Sequence, residues 1–172
     1  MSRARVGRPG PASETPETLP YACRVQDLDT LESVSARLET VLDRLAARYR
    51  SMPESKLLGR LPDGRSRAAA GHELASLVAF AAQGVEDRSG PHPPAWRLLP
   101  FEGAFVVGDQ ISVTGHDLVA ACAELLGVEH ANGVAGASTP VWAPPGVRCD
   151  RTSVGTIVMR VLTAADELSA VL

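Results

Sequence analysis

The sequence predicts an all-α protein, a four-helix bundle that follows a flexible N-terminal tail. Apolar residues recur at helical spacing in four separate stretches, and each stretch has a polar opposite face. Aromatic residues make up only 4% of the 172 residues, so leucine, valine and alanine must build the core. The length suits one domain with its own core, and the hydrophobic (45%) and charged (22%) fractions are those of an ordinary globular protein.

The N-terminal stretch differs in composition from the rest of the chain. Residues 1–20 hold four prolines and no apolar cluster, so they cannot bury enough surface to offset the entropy lost on ordering. We therefore predict a flexible tail over residues 1–26 and a helical bundle domain over residues 27–172.

The first predicted helix begins near Asp27 or Asp29, either of which can cap it, and ends near Met52. Pro53 sets this end because proline disfavours helical backbone at the residue before it. Residues 53–64 hold two prolines and two glycines and are predicted to form a connection. The apolar stripe of the helix consists of Leu31, Val34, Leu38, Val41, Leu42, Leu45 and Tyr49.

The second predicted helix runs over about residues 65–87, and its alanines would let another helix approach closely. Residues 88–100 carry four prolines and cannot form a regular helix. We predict that Trp96, Leu98 and Leu99 pin this loop to the bundle. The stripe of the second helix consists of Ala70, Leu74, Leu77, Val78, Ala81 and Val85.

Residues 101–126 allow two interpretations, and periodicity does not decide between them. In the first, two short strands form a hairpin that turns at Gly108-Asp109. Thr114 then caps a following helix, and Asp117 completes a capping box.

In the second interpretation, one helix runs over about residues 103–126. Residues 127–147 hold four glycines and three prolines and are predicted to form a long loop, and a final helix runs from about residue 150 to the C-terminus. The third helix would bury Val107, Ile111, Thr114, Leu118, Cys122 and Leu125, and the final helix Val154, Ile157, Val158, Val161, Leu162, Ala165 and Leu168.

Composition and motifs exclude several function classes. A net charge of -3 and a pI of about 5.8 argue against a generally basic nucleic-acid-binding protein. No apolar run has the length of a membrane span, and no apolar segment follows the N-terminal arginines. The scattered Cys23, Cys122 and Cys149 form no C-x-x-C pair and are predicted to be reduced thiols. We therefore expect a cytoplasmic protein with no nucleic-acid and no membrane partner.

Common catalytic motifs are also missing from the sequence. It contains no G-x-x-x-x-G-K phosphate loop and no G-x-S-x-G nucleophile elbow. His72-Glu73 resembles the start of a metalloprotease helix, but Ser76 stands where the second histidine would be needed.

The stretch around Asp117 resembles a motif of a known helical family. Residues 109–121 read DQISVTGHDLVAA, and residues 73–78 read ELASLV. They are similar to the E-x-x-x-H-x-x-D-L stretch on the third helix and the D-L-L-x-H-L stretch on the second helix of the DinB-like superfamily. The similarity is greatest to its mycothiol-dependent maleylpyruvate isomerase branch, with Asp117-Leu118 carrying the match. It spans about residues 28–126 and implies a four-helix bundle around one divalent metal.

In the register that this resemblance implies, the metal ligands fall on Leu77, Gln110 and Thr114. Leucine cannot bind a metal, and the amide and hydroxyl are weak ligands beside carboxylate and imidazole. We therefore predict a bundle without metal or other cofactor, in which these three residues and Asp117 are the candidates for lining a pocket. The polar groups of Gln110 and Thr114 are expected to be satisfied by neighbours, including each other's backbone.

The favoured hypothesis is a non-enzymatic or regulatory bundle protein with no catalytic residues. It would act through contact with a protein partner or a small ligand at the degenerate metal-site pocket. The alternative is a metal-dependent mycothiol or thiol transferase or isomerase of the same superfamily. In that case, His72 and His116 are the candidates for holding zinc or another divalent metal.

Overall fold

The structure, a computed structural model, describes residues 31–132 and 136–172. The predicted tail over residues 1–26, the capping residues Asp27 and Asp29, and Cys23 lie outside the described residues. Five helices dominate the described part of the chain: α1 (Leu31–Ser51), α2 (Glu54–Leu57), α3 (Arg67–Glu86), α4 (Val107–Asn132) and α5 (Val154–Val171). Two three-residue strands, β1 (Pro140–Trp142) and β2 (Arg151–Ser153), pair antiparallel.

The four long helices enclose one hydrophobic core. Helix α4 packs along both α1 and α3, and α5 packs against the same two helices. The protein is therefore mostly helical, as the periodicity of the sequence predicts. The largest side chains that are fully buried come from all four long helices and from the short segments, and include Tyr49, Leu38, Leu42, Leu57, Ile111, Leu118, Leu125 and Leu162.

The first predicted helix is confirmed from Leu31 onward, where α1 begins in the described part of the chain. Its stripe is buried except for the partly exposed Val41, and the helix ends at Ser51, just before Pro53. The predicted connection over residues 53–64 is not wholly irregular, since it contains the single-turn helix α2. Pro53 stands immediately before α2, where its fixed φ of -68° suits the entry to a helix.

Helix α3 begins one residue after Ser66, whose side chain accepts a hydrogen bond from the backbone N–H of Ala69. The following loop has no helix, as its prolines predict. Within it, Trp96 meets Phe80 edge-on, with ring centroids 5.7 Å apart. The prediction that Leu98 pins this loop is wrong, because its side chain is 79% exposed.

Residues 107–132 form one continuous helix, so the hairpin interpretation is wrong and the single-helix interpretation is confirmed. Thr114 and Asp117 lie inside α4 and cap nothing. Gly108 has a packing role rather than a turn role, because a Cβ there would lie 2.9 Å from the carbonyl oxygen of Ala46 on α1. The predicted stripe is buried along one face of α4, and this burial favours the helix over the hairpin.

The predicted loop over residues 127–147 is wrong at its start, since α4 continues to Asn132. The final helix begins at Val154 rather than near residue 150, because residues 151–153 pair with β1. Trp142 anchors the strand pair: its Nε1 donates to the carbonyl oxygen of Asp87 at 3.1 Å, and the Arg151 guanidinium lies 3.9 Å from the ring centroid.

The stretch Ala104–Val128 is long and apolar enough to cross a membrane by length and composition, with a mean hydropathy of 1.3. The sequence was expected to hold no run of this length, so that expectation is corrected. Of the most apolar 18-residue window in this stretch, 39% is buried inside the protein. Core helices of globular proteins meet the same criterion, so it is weak evidence for a membrane span.

Candidate functional site

Leu77 lies in an open groove between α3 and α5, which we call the α3–α5 groove. The groove has a volume of about 400 Å³ and begins at the turn that precedes α3. Its floor is apolar, and Leu77 itself is only partly buried against the core. The groove is lined by Leu61, Asp63, Arg65, Ala70, Glu73, Leu74, Leu77, Ala164, Glu167, Leu168 and Val171.

The rim of the α3–α5 groove is charged and predominantly acidic. Arg65 forms ion pairs with both Asp63, at 2.7 Å, and Glu73. The hydrogen bond from the Arg65 guanidinium holds the pKa of Asp63 below its usual range. Across the groove on α5, Glu167 makes no ion pair with any described residue. Carboxylates therefore outnumber guanidinium groups at the rim by three to one.

A tight turn places the two rim charges that precede α3. Gly64 has a φ of 88°, in the left-handed region that glycine adopts without strain. The backbone N–H of Leu61 donates to the carbonyl oxygen of Arg65 at 2.8 Å and closes the turn. The prolines and glycines of this segment predict only a connection. The Asp63-Gly64 pair is a common turn signal, and it is the sequence feature that indicates a turn here.

Gln110 lies away from the groove, at the contact of α3 with the start of α4. Its Oε1 lies 3.0 Å from Nδ1 of His72, and its Nε2 donates to the carbonyl oxygen of Pro100 at 2.7 Å. Because the amide donates through Nε2, its oxygen faces His72, and the imidazole donates through Nδ1. The ring of His72 also meets Phe101 edge-on, at 5.2 Å between centroids.

Thr114 is buried one turn after Gln110 on α4. Its hydroxyl donates to the carbonyl oxygen of Gln110 at 2.8 Å, a local backbone bond of the kind expected from the sequence. The structure therefore places Gln110 against His72 of α3, and Thr114 one turn further along α4. Leu77 lies in the α3–α5 groove instead, and Gln110, Thr114 and Asp117 do not line that groove as the sequence predicts.

The remaining candidates are surface residues. Asp117 is exposed in the interior of α4, so the capping-box interpretation is wrong. His116 is also exposed, and its Nε2 lies 3.6 Å from the Asp43 carboxylate on α1. His72 contacts α4 through Gln110, so the two histidines face different neighbours.

These residues do not fit the metal that the resemblance implies. Leu77 offers no ligating atom, the Gln110 amide is engaged on both sides, and the Thr114 hydroxyl is used by its own helix. Among the side chains that the structure describes, those of residues 31–128 and 136–172, no group of three or more histidine, cysteine, aspartate or glutamate residues is placed to hold a metal ion.

The core holds one further polar pair, on α1 and α4. Burial raises the pKa of the Cys122 thiol to about 11, and the hydroxyl of Ser35 opposes this shift. Ser35 Oγ is buried and has no hydrogen bond of standard geometry. A thiol in this environment is protonated at neutral pH and is a poor nucleophile.

Comparisons with protein-family models, with curated protein sequences and with solved structures find no match to this chain.

Proposed function

We propose that this protein is a non-enzymatic binding protein of the cytoplasm, a DinB-like four-helix bundle without its metal. Its ligand is a small organic molecule that occupies the α3–α5 groove. The observation that carries the proposal is the groove itself, with a volume of about 400 Å³. Small-molecule sites are typically of this size, with an apolar lining and a few polar groups that set orientation.

The charges at the rim indicate the class of ligand. Arg65 is shared by Asp63 and Glu73, which leaves that cluster with an excess negative charge, and the Glu167 carboxylate adds a second one at the groove. An apolar body with one positive charge, such as an alkylammonium ion, complements both the floor and the rim. An organic anion would meet two or more carboxylates and would be repelled.

The proposed absence of a metal is supported by the hydrogen bonds that engage the side chains of Gln110 and Thr114. Metal analysis of the purified protein tests it, and we expect no stoichiometric zinc or other divalent metal. One tightly held equivalent that is lost on His72→Ala or His116→Ala would favour the thiol transferase or isomerase instead.

Titration calorimetry with three eight-carbon probes tests the binding proposal. We expect octylammonium to bind saturably, octanol to bind more weakly and octanoate to show no binding. Glu167→Gln should weaken octylammonium binding about two- to five-fold, the effect of one exposed charge pair. Glu124→Gln removes the same charge from an exposed site on α4 outside the groove and serves as the matched control.

A bulky residue in the groove decides whether the probe binds there. Ala164→Phe places a ring between α3 and α5 and should abolish binding while the melting temperature stays close to that of the parent. If this variant does not fold, Val171→Trp, at a more exposed position of the same groove, replaces it. Full binding by both variants would place the site elsewhere and contradict the proposal.

A further inference from the structure

A second cavity, which we call the basic recess, lies where the end of α1, helix α2 and the start of α3 meet. It has a volume of about 290 Å³, and the basic side chains of Arg48, Lys56 and Arg67 line it. Its other lining residues are Ser51, Met52, Pro53 and Leu172, so no acidic side chain lines it. Three basic side chains therefore share one cavity in a chain whose net charge is -3.

Backbone carbonyl groups hold the two arginines of the basic recess. Arg48 Nη1 donates to the carbonyl oxygen of Ser169 at 3.2 Å, and Arg67 Nη1 donates to that of Lys56 at 3.3 Å. With the described side chains of residues 31–128 and 136–172, none of the three basic groups forms an ion pair with a carboxylate. Each guanidinium has five N–H donors, so donors remain for a ligand.

The sequence places Arg67 where helix electrostatics disfavour a cation. It is the first residue of α3, and the first turn of this helix contains no acidic residue. A helix N-terminus carries partial positive charge, so a cation there is destabilising and an anion is stabilising. Gly59 leaves space for the Arg67 side chain, because a Cβ at Gly59 would lie 2.6 Å from Arg67 Nη1.

Two of the cations act on the same buried group. Burial raises the pKa of Tyr49 to about 12, and the charges of Arg67 and Arg48 oppose this shift. The Tyr49 hydroxyl donates to the carbonyl oxygen of Arg67 at 2.7 Å, which fixes the backbone that carries the guanidinium. Arg48 and Arg67 also line the same recess, so two like charges share one cavity.

We propose that the basic recess binds the phosphomonoester group of a small soluble molecule. Such a group carries a charge of about -1.5 to -2 at pH 7 and three strong acceptor oxygens, which suits three cationic donors. Guanidinium groups can pair with its oxygens in a bidentate manner. Met52, Pro53 and Leu172 provide an apolar wall for the organic part. This site is independent of the α3–α5 groove.

Calorimetric titration of the full chain with glycerol phosphate, at constant ionic strength, tests the proposal. We expect saturable binding that Arg67→Gln weakens about tenfold and Lys56→Gln weakens about two- to five-fold. Arg44→Gln is the matched control, since it removes the same charge from an exposed position of α1 outside the recess and should leave binding unchanged.

Three outcomes would overturn the proposal. Glycerol phosphate shows no binding, or Arg44→Gln weakens binding as much as Lys56→Gln, or the double variant Arg67→Gln/Lys56→Gln retains the parent affinity. If the first outcome is accompanied by sedimentation with phosphatidic acid vesicles, the recess binds a lipid surface rather than a soluble phosphomonoester. If Arg67→Gln does not fold, Lys56→Gln and Arg48→Gln, both at exposed side chains, decide the result.

Discussion

The two sides of helix α3 are packed in different ways. On the side of α4, Gly71 lets the helices approach so closely that a Cβ there would lie 2.6 Å from both Tyr49 Cζ and Val107 Cγ1. On the side of α5, leucines and charged residues leave a groove of about 400 Å³. Small residues bring helices together and close the core, whereas longer side chains hold them apart. The same helix thus borders a closely packed core on one side and the open α3–α5 groove on the other.

Truncating one leucine on each side of α3 should give the largest difference in unfolding free energy. Leu118 on α4 is fully buried, so Leu118→Ala should cost about 2–5 kcal/mol of unfolding free energy. Leu77 is partly exposed in the α3–α5 groove, so Leu77→Ala should cost only about 1 kcal/mol because less apolar surface is lost. Urea denaturation of both variants measures this. Equal costs would mean that α5 closes over Leu77 in solution.

A methyl group added at Gly71 should cause the next largest loss of unfolding free energy. Gly71→Ala crowds Tyr49 and Val107, and overpacking of this kind costs about 1–3 kcal/mol. Gly127→Ala is the matched control, because it lies in α4 with no atom within 4 Å of the added Cβ. The control should gain up to about 1 kcal/mol from helix propensity. A stabilising Gly71→Ala would contradict the close approach of α3 to α1 and α4.

The hydrogen bond between His72 and Gln110 should couple α3 to α4 by a smaller amount. A double-mutant cycle with His72→Ala and Gln110→Ala should give a coupling energy of about 0.5–1.5 kcal/mol, the net contribution of one part-buried hydrogen bond. Additive effects would show that the two side chains do not interact in solution.

The smallest effect expected is the pH dependence of the groove rim. The pKa of Asp63 is lowered by Arg65, so its contribution to stability is present above the pKa of the unfolded chain, about 3.9, and is lost as pH falls through the folded value. The difference in melting temperature between the parent and Asp63→Asn should therefore be greatest near neutral pH and vanish in acid. A difference that grows on acidification would contradict the ion pair.

The helical part of this fold follows from the sequence because apolar spacing fixes which face of each helix is buried. The choice between hairpin and helix after residue 101 needed the tertiary contacts, since Gly108 is required for close approach to Ala46 and not for a turn. The strand pair was missed because its strands have three residues each and depend on the anchoring of Trp142.

The candidate site was predictable only in part, for a geometric reason. Leu77 was selected from the sequence, but its helical stripe could not reveal that α5 stands off from α3 at this position. The acidic rim combines a loop turn at Asp63 with Glu167 on the last helix, and residues so far apart in the chain carry no shared pattern. The basic recess is distributed over three segments in the same way.

The most direct test of a ligand groove is to locate the bound probe by NMR. Intermolecular nuclear Overhauser effects can be measured between octylammonium and protein whose leucine and valine methyl groups are selectively labelled. We predict contacts from the alkyl chain to the methyl groups of Leu77, Leu168 and Val171, which line the α3–α5 groove. Contacts to Leu58 or Leu98, which are exposed outside the groove, with none to Leu77 or Val171, would contradict the account.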